Sequence, residues 1–299
     1  MYGVVILNYN VGKDAVNAAK SVVNTAENQY YRIVIVDNCS TKHGERDLLI
    51  NLCKDVCNCE LLFLSSNNGY ADGNNQGMLY LREKYPIDYF VIMNPDVEIS
   101  VEGTIDRLIG AVVGTSYCGV QPIVWTKTNK LPKEYQTSVR RVYKYVDCLI
   151  ESNFLTKRLF YKRARNQVYF NRRPYSESFA FEVPSGAFFI MKSDIFSKIG
   201  FFDAGTFLYA EEIILGLKLY NENQQFLFVP AEFVIHEGGK SIGATSKMIT
   251  RFSFGCELRS YCYYLEKYLN CNSLQLNLFK MLKYFDYLIK KIKFKYENF

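Results

Sequence analysis

The sequence predicts an α/β protein with a mostly parallel central sheet flanked by helices. Two observations carry this. Strand-like apolar runs alternate with segments of helical spacing through the N-terminal third, the order that gives parallel strands joined by right-handed crossovers. Each run also ends in polar residues, first Asn8 and Asn10, then Asp37, Asn68 and Asp96. One edge of the sheet therefore collects them, and in open α/β sheets that edge binds ligands.

The first run, Tyr2 to Leu7, is continuously apolar, as in a strand covered on both faces, and it stops at the turn Asn8-Tyr9-Asn10. Asp14 to Val23 follows with Val16, Ala19 and Val23 on one helical face. Arg32 to Val36 is the second strand and ends in Asp37-Asn38-Cys39-Ser40; Leu48, Leu49, Leu52 and Val56 mark the helix after it. Glu60 to Leu64 is the third strand, ending at Ser65-Ser66-Asn67-Asn68-Gly69, and Asp72 to Glu83 reads as the third helix. The run Tyr89 to Met93 then meets Asn94-Pro95-Asp96. Pro95 has no backbone donor and a fixed φ, so the ladder should stop there and hold Asp96 at the strand's carboxyl end. A carboxylate so placed can hold a hard divalent cation, and through it a diphosphate; it can also simply cap the next segment.

Val101 to Val113 reads as a helix and Gly119 to Pro122 as the start of a strand. A basic, aromatic-rich stretch spans residues 126–180, where thirteen Lys and Arg stand against four Asp and Glu. Val183 to Ala187 leads into the strand Phe188 to Met191, and Ser193 to Ile199 is a short helix stopped by Gly200. Glu211 and Glu212 open a helix that runs from Ile213 to Tyr220. Acids in a first turn suit the helix dipole, and a carboxylate beside an aromatic pocket also suits a general base. Phe226 to Pro230 is a further strand, followed by His236-Glu237-Gly238-Gly239-Lys240-Ser241. A lone His is commonly a packing residue, but the Gly-Gly and Lys that follow favour a metal or phosphate role. His43 lies in a polar loop with no such company. From Met248 onward, Leu274, Leu278, Leu282, Phe285, Leu288 and Ile289 keep helical spacing among Lys280, Lys283, Lys290, Lys291, Lys293 and Lys295. Basic amphipathic helices of this kind lie on anionic membranes; packing on the parent domain or on a second copy is the other reading.

The 299 residues carry a net charge of +6, with 49% hydrophobic and 16% aromatic residues, enough for a large folded core. Outside residues 126–180 the balance is about −3, so the basic character is local and points to an anionic partner surface. Nine Cys without framework spacing, and a strand-like run opening at Tyr2 where a signal peptide would stand, predict reduced thiols and a cytoplasmic location. Cys53, Cys57 and Cys59 lie close together, but no second Cys or His pair follows at zinc-site spacing, and packing is the reading taken. No run of 18 apolar residues occurs, and no GxGxxG or GxxxxGK[ST] cradle is present. No nucleic-acid motif accompanies the basic stretch, so no nucleic acid is expected as partner.

Taken in order, these segments resemble the family 2 inverting glycosyltransferases of the GT-A fold over residues 2 to about 245. Asn8-Tyr9-Asn10 is similar to the family's first nucleotide-contacting loop, and Val36-Asp37-Asn38-Cys39-Ser40 to its base-binding motif, where Asp37 would accept from uracil or thymine N3–H. Asn67-Asn68-Gly69-Tyr70-Ala71, continuing through Gly73, Asn74, Asn75 and Gly77, is similar to the segment lining the donor site. Asn94-Pro95-Asp96 matches the family's variant of the DxD motif, with Asp96 as metal ligand. Ser185-Gly186-Ala187 matches the acceptor-side strand; the segment from Gly200 through Asp203 to Glu212 is similar to that carrying the base, and His236 to Ser241 to the closing loop whose His completes the metal site. The family usually has Glu-Asp where this chain has Glu211-Glu212, an acid where Ile214 stands, and Arg where Lys218 stands.

The resemblance implies a catalytic domain over residues 1–247, made of a nucleotide half (1–122), the basic insertion (126–180) and an acceptor half (183–247), with a helical appendage over 248–299. It implies Mn²⁺ or Mg²⁺ held by Asp96 and His236, a donor site of Asn8, Asn10, Asp37, Asn68, Gly69, Asn75, Asn94 and Asp96, and an acceptor side of Ser185, Gly186 and Asp203. Glu212 is the expected base, with Glu211 as second choice or orienter. The implied partners are a dTDP- or UDP-linked sugar, dTDP-rhamnose or a UDP-hexose, and a lipid-diphosphate-linked saccharide of an O-antigen or capsule. The implied place is the inner face of a bacterial membrane, touched through residues 274–299, with a homodimer as the other use of that helix. The departures at Glu212 and Ile214 keep a second reading open, a nucleotide-sugar-binding subunit without turnover that supports a partner transferase. A third is a nucleotidyltransferase sharing the nucleotide half.

Overall fold

The computed structural model describes residues 1–126, 139–169, 177–237 and 250–297. Its N-terminal half alternates as the pattern predicts: β1 (Tyr2–Asn8), α1 (Gly12–Thr25), β2 (Tyr31–Asp37), α2 (Glu45–Cys53), β3 (Cys59–Phe63), α3 (Tyr70–Lys84) and β4 (Tyr89–Met93). After the Asn94-Pro95-Asp96 turn come β5 (Val97–Glu98), α4 (Thr104–Gly110) and β6 (Gly119–Thr126). Helix α4 is shorter than the span expected from Val101 to Val113, because Gly103 at φ 72 starts it late and turns replace its last residues.

The sheet order is β3-β2-β1-β4 followed by β8-β6-β9-β5. The first four strands are parallel, and the order reverses between β1 and β4, so the crevice outside their carboxyl ends is where such sheets take ligands. The second half makes the whole sheet mixed. Strand β8 (Phe188–Lys192) runs antiparallel to both β4 and β6. Strand β9 (Phe226–His236) pairs parallel with β6 and antiparallel with β5 and with β7 (Phe179–Phe181). Strand β9 was expected to end at Pro230 but continues to His236. Val229 pairs with Pro122 and Phe233 with Ile123, so Pro230 sits in a bulge where no ladder donor is required.

Period-two alternation divides the core. Val4, Ile6, Ile33, Ile35, Val91, Phe188 and Ile190 face α1 and α2, whereas Val5, Val34, Val36, Phe90, Ile92 and Phe189 face α3 and α8 (Ser193–Lys198). Helix α3 lies close on the sheet because Gly77 has no Cβ to strike Val5 and Val36.

The basic insertion supplies α5 (Tyr145–Glu151), α6 (Phe154–Leu159) and α7 (Tyr161–Gln167). A third cluster joins α5 with α9 (Glu211–Asn221), the C-terminal α10 (Arg251–Tyr263), a π-helical turn (Tyr264–Tyr268) and α11 (Ser273–Glu297). Tyr143, Val183, Ile213, Ile214, Tyr264 and Phe279 are buried together there, so the C-terminal helices share a core with the insertion and α9. Ile214, at the position where an acid was expected, is fully buried in this cluster.

Candidate active site

The site is a line of side chains along the carboxyl ends of β1, β2 and β4, continued by the loop before β8 and the start of α9. At its nucleotide end, Asn8 is buried and its amide donates to Asp37 Oδ1 at 2.8 Å, while its own Oδ1 accepts from Val11 N at 3.0 Å at the start of α1. Asn10, at φ 63, accepts from Thr41 N and Lys42 N at 2.9 and 2.8 Å. Ser40 donates to Asp37 Oδ1 and accepts from Asn10 N. The β1 and β2 ends are thus knitted into one rigid loop pair, with Asn8, Asn10 and Asp37 together as the sequence suggests.

Asn38 and Asn67 were not singled out among the site residues. Asn38 donates to Asn67 Oδ1 at 3.0 Å and to Gly69 O at 3.2 Å, and so ties the β2 loop to the segment before α3. Gly69 holds φ 103 and ψ −176, a region open essentially only to glycine, and its Cα faces the Phe207 backbone with no room for a Cβ. Asn68 is exposed and donates to Asp72 Oδ2 at 3.1 Å. Asn75, expected to line the donor, instead exchanges two hydrogen bonds with the Phe202 backbone at 2.9 and 3.1 Å; it positions the loop after Gly200.

At the centre, Asp96 and His236 come together. Strands β5 and β9 pair Val97 with His236, which brings His236 Nε2 to 3.2 Å from Asp96 Oδ1. Asp96 is buried and His236 partly so. One carboxylate and one imidazole suit a divalent cation that completes its shell from phosphate and water oxygens, so the donor set fits Mn²⁺ or Mg²⁺. No larger group of His, Cys, Asp and Glu able to hold a metal occurs among the described residues. Gly238 to Ser241, the rest of the expected closing loop, lie outside them. Cys53 is buried and Cys59 partly so, while Cys57 is exposed.

The acceptor end is reached through Asn94, whose N–H donates to Ala187 O at 2.9 Å. Ser185 N donates to Gln121 Oε1 at 2.7 Å. Gly186 is the hinge of this region. Its carbonyl accepts from Tyr70 Oη at 2.7 Å, and its missing side chain leaves space for Glu212, whose Oε1 would stand 2.5 Å from an added Cβ. The two residues before α9, Tyr209 at φ 72 and Ala210 at φ 65, are both left-handed, an uncommon and strained pair that delivers Glu211 and Glu212 to this place.

The two acids sit in different surroundings. Glu211 is buried, and burial first, then the adjacent Glu212 charge, pushes its carboxyl well above the usual range. Glu212 is only half-buried. Tyr70 is likewise pushed up, by burial and then by Glu212 and Glu211. Arg140, which sequence reasoning missed in the featureless basic stretch, joins the site by a backbone bridge to Val183 at 3.0 and 2.9 Å. Desolvation alone would lower it, but the field of Tyr143, Tyr261 and Glu212 keeps it above its ordinary value.

Asp203 is turned away from this group. It accepts from Lys267 Nζ at 2.8 Å, from Gly205 N at 2.8 Å, and from Tyr263 and Tyr268 hydroxyls. Burial pushes its pKa up, but those donors outweigh it and hold the carboxyl down at about 2. Here Asp203 fastens the C-terminal helices to the loop before α9. Lys218 donates to Phe201 O at 2.7 Å in the same region, and burial lowers its pKa.

Comparison with known proteins follows the same outline. The family model described as Glycosyl transferase family 2 matches residues 3–200. Among curated relatives, the rhamnosyltransferase WbbL of Escherichia coli K12 is 24% identical over 71% of this chain and 74% of its own length. The low-salt glycan biosynthesis hexosyltransferase Agl10 of Haloferax volcanii is 23% identical over 74% of this chain and 62% of its own length. Among solved structures, the mannosyltransferase PcManGT from Pyrobaculum calidifontis, in complex with GDP-Man and Mn²⁺, superposes with a TM-score of 0.57 at 12% identity, covering 96% of this chain and 68% of that one. GalNAc-T7 with UDP, GalNAc and Mn²⁺ gives a TM-score of 0.57 at 17% identity over 79% of this chain, which spans only 43% of that one. These structural likenesses establish the GT-A fold, and the family match, over most of the chain, establishes that the protein belongs to the family 2 glycosyltransferases.

Proposed function

We propose that this glycosyltransferase is metal-dependent and inverting, and that it moves a sugar from a dTDP- or UDP-linked donor to a hydroxyl of a growing, lipid-linked surface polysaccharide. The observation that carries the reading is the placement of acidic groups along the site. Asp96 with His236 stands at its centre and Glu212 at its acceptor end, joined through Asn94, Ala187 and Gly186. An inverting single displacement needs a leaving diphosphate neutralised on one side and an acceptor hydroxyl deprotonated on the other.

In this reading Asp37, held in place by Asn8, accepts from the base N3–H, and Asp96 and His236 hold a divalent cation. When bound, that cation neutralises charge on the nucleoside diphosphate. Glu212, half-buried against Gly186, takes the acceptor proton. Glu211, whose carboxyl is pushed up by burial and then by the Glu212 charge beside it, stands behind Glu212 as the more acid-like member of the pair. Tyr70 fixes the Gly186 carbonyl and so the wall against which Glu212 rests.

A rhamnosyl or hexosyl group as the sugar transferred is favoured by the rhamnosyl- and hexosyltransferase relatives. No helix among the described residues is long and apolar enough to cross a membrane, and the lipid-linked acceptor is reached in our reading from the membrane surface. The test is calorimetric titration of UDP and dTDP, each with and without Mn²⁺, on wild type and Asp96→Ala. Binding that needs both metal and Asp96 supports the donor site, and the preferred base selects the sugar to try for turnover. Binding indifferent to Asp96 overturns it. Binding without turnover across the rhamnose, hexose and N-acetylhexosamine donors favours a non-catalytic supporting subunit.

A further inference from the structure

Helix α6 buries none of its own residues. Its first turn is nevertheless fixed. Asn153 caps it by accepting from Leu155 N at 2.8 Å, Asn153 Nδ2 donates to Leu282 O at 3.3 Å, and Phe154 N donates to Asp286 Oδ1 at 3.0 Å. The helix is therefore moored on α11 through polar groups while Phe154, Leu155, Leu159, Phe160 and Tyr161 face solvent, Leu159 at 76% exposure.

Helix α11 repeats the arrangement. Phe279, Lys283 and Asp286 are buried on the side packed against the protein. On the opposite side Leu274, Leu278, Met281, Phe285, Leu288 and Ile292 are all exposed, spaced alternately four and three residues apart, so they form one ridge. Soluble monomers rarely leave contiguous apolar area of this kind uncovered.

The charges beside these surfaces select the occupant. Lys157, Arg163, Lys283 and Lys290 are matched by Glu151, Asp147, Glu257 and Asp286. Arg158, Lys162, Lys280 and Lys291 have no carboxylate partner among the described residues and border the apolar groups. On α11, Lys280 and Lys291 flank one side of the ridge and Lys293 the other. A second copy pressed onto the same ridge would set cations against cations. An anionic bilayer takes both parts at once, apolar side chains into the acyl boundary and lysines to the headgroups.

We propose that α6 and α11 together form one docking surface for an anionic lipid bilayer, with the insertion and the tail each supplying a half. It rests on the reading above only in taking the lipid end of the acceptor to lie in that bilayer. The half supplied by the insertion is connected through α5 to the Arg140–Val183 bridge on the acceptor side, so docking would anchor that side of the site to the membrane surface.

The full chain is sedimented with vesicles of phosphatidylcholine alone and of phosphatidylcholine with phosphatidylglycerol. Two variants are compared, Leu159→Glu with Phe160→Glu at the end of α6 and Met281→Glu with Phe285→Glu on α11. All four positions are exposed, so folding should be kept, and circular dichroism and UDP or dTDP binding check that it is. The expected result is binding to the anionic vesicles only, weakened by roughly tenfold or more in each variant and by added salt. Failure of the wild type to bind anionic vesicles overturns the proposal, as does unchanged binding in the α6 variant. So does a wild-type dimer in light scattering that the α11 variant makes monomeric, which assigns the ridge to a second copy. Nucleotide binding is read separately, so its failure counts against the donor site and leaves the vesicle result standing.

Discussion

Asp96 Oδ1 lies 3.2 Å from His236 Nε2, although 140 positions of sequence separate them. The contact is made by backbone pairing: two residues of β5 zip antiparallel onto the end of β9, and Val97 is registered against His236. If this pair holds the cation of the donor, each member should matter to metal-assisted nucleotide binding and neither to the fold of the sheet. His236→Ala is expected to weaken Mn²⁺-dependent UDP or dTDP binding by roughly 10- to 100-fold, and Asp96→Ala by at least as much, since the buried carboxylate is the hard ligand. Titration with and without Mn²⁺ checks this. Equal affinity in the variants would remove the pair from the donor site.

The two glutamates should separate kinetically. Glu212→Gln keeps the shape against Gly186 but cannot take a proton, so kcat should fall by about 10²- to 10⁴-fold while nucleotide affinity stays within a factor of a few. Gly186→Ala should act through the same atom, since its Cβ would fall 2.5 Å from Glu212 Oε1 and drive the carboxylate from its place. It should lower kcat with a smaller effect on stability. A Gly186→Ala enzyme with normal kcat would mean that Glu212 is free to reorient and that its position is unimportant.

Glu211 makes a prediction about stability. Its folded pKa is raised, so the unfolded chain ionises first as pH rises. The burial of this group is therefore favourable below its unfolded pKa and becomes a growing cost from there up to the folded value. Glu211→Gln removes that cost. The variant should gain in Tm relative to wild type as pH is raised from about 5 to about 8. A constant difference across that range would show that Glu211 ionises in place.

How much of this was legible in the sequence depends on how local the signal is. Asn8, Asp37 and Asp96 announced themselves because each follows an apolar run, and a strand end is a local event. The doubly buried character of β1, β2 and β4 was written in uninterrupted Val and Ile. The pairing of Tyr70 with Gly186, and of Asn75 with Phe202, spans more than a hundred residues and leaves no local trace; Asn75 was read as a donor contact for that reason. Asp203 stood in a motif segment, and only the packing of Tyr263, Lys267 and Tyr268 from the C-terminal helices reveals what its carboxylate is engaged with. Arg140 sat unmarked among a dozen other cations of the insertion. Pro230 misled because the bulge that accommodates it depends on the partner strand β6.

Gly69 is the site where backbone alone sets a limit. At φ 103 and ψ −176, with Phe207 O at 2.2 Å from an ideal Cβ, any side chain meets both strain and a backbone collision. Gly69→Ala should cost more than the roughly 1–3 kcal/mol typical of such backbone strain, since Tyr70 N also donates to Phe207 O across the same contact. Chemical denaturation measures it. A loss below about 1 kcal/mol would mean that the loop can move away, and that Asn67 and Asn68 are not held as the structure has them.

Asp203 ties the C-terminal helices to the loop that carries Glu211 and Glu212, and the strength of that tie should depend on pH. Its carboxyl is held down at about 2 by Lys267, Tyr268, Gly205 and Tyr263 against the opposing effect of burial. A carboxyl with a lowered folded pKa contributes stability that is fully present above its unfolded value and is lost as pH falls through the folded one. The window is therefore from about 4 down to about 2. Asp203→Asn should lose on the order of 1–2 kcal/mol at neutral pH, after allowance for the exposed Lys267 end of the cluster. The gap to wild type should close as the pH approaches 2. Thermal melts of both proteins from pH 7 downward measure this. Because the tie lies at the base of the Glu211–Glu212 loop, Asp203→Asn should also lower kcat by a few-fold while leaving nucleotide binding intact. A gap that stays constant with pH would show that Asp203 contributes by shape alone, and an unchanged kcat would show that the loop keeps its strained conformation without the C-terminal helices.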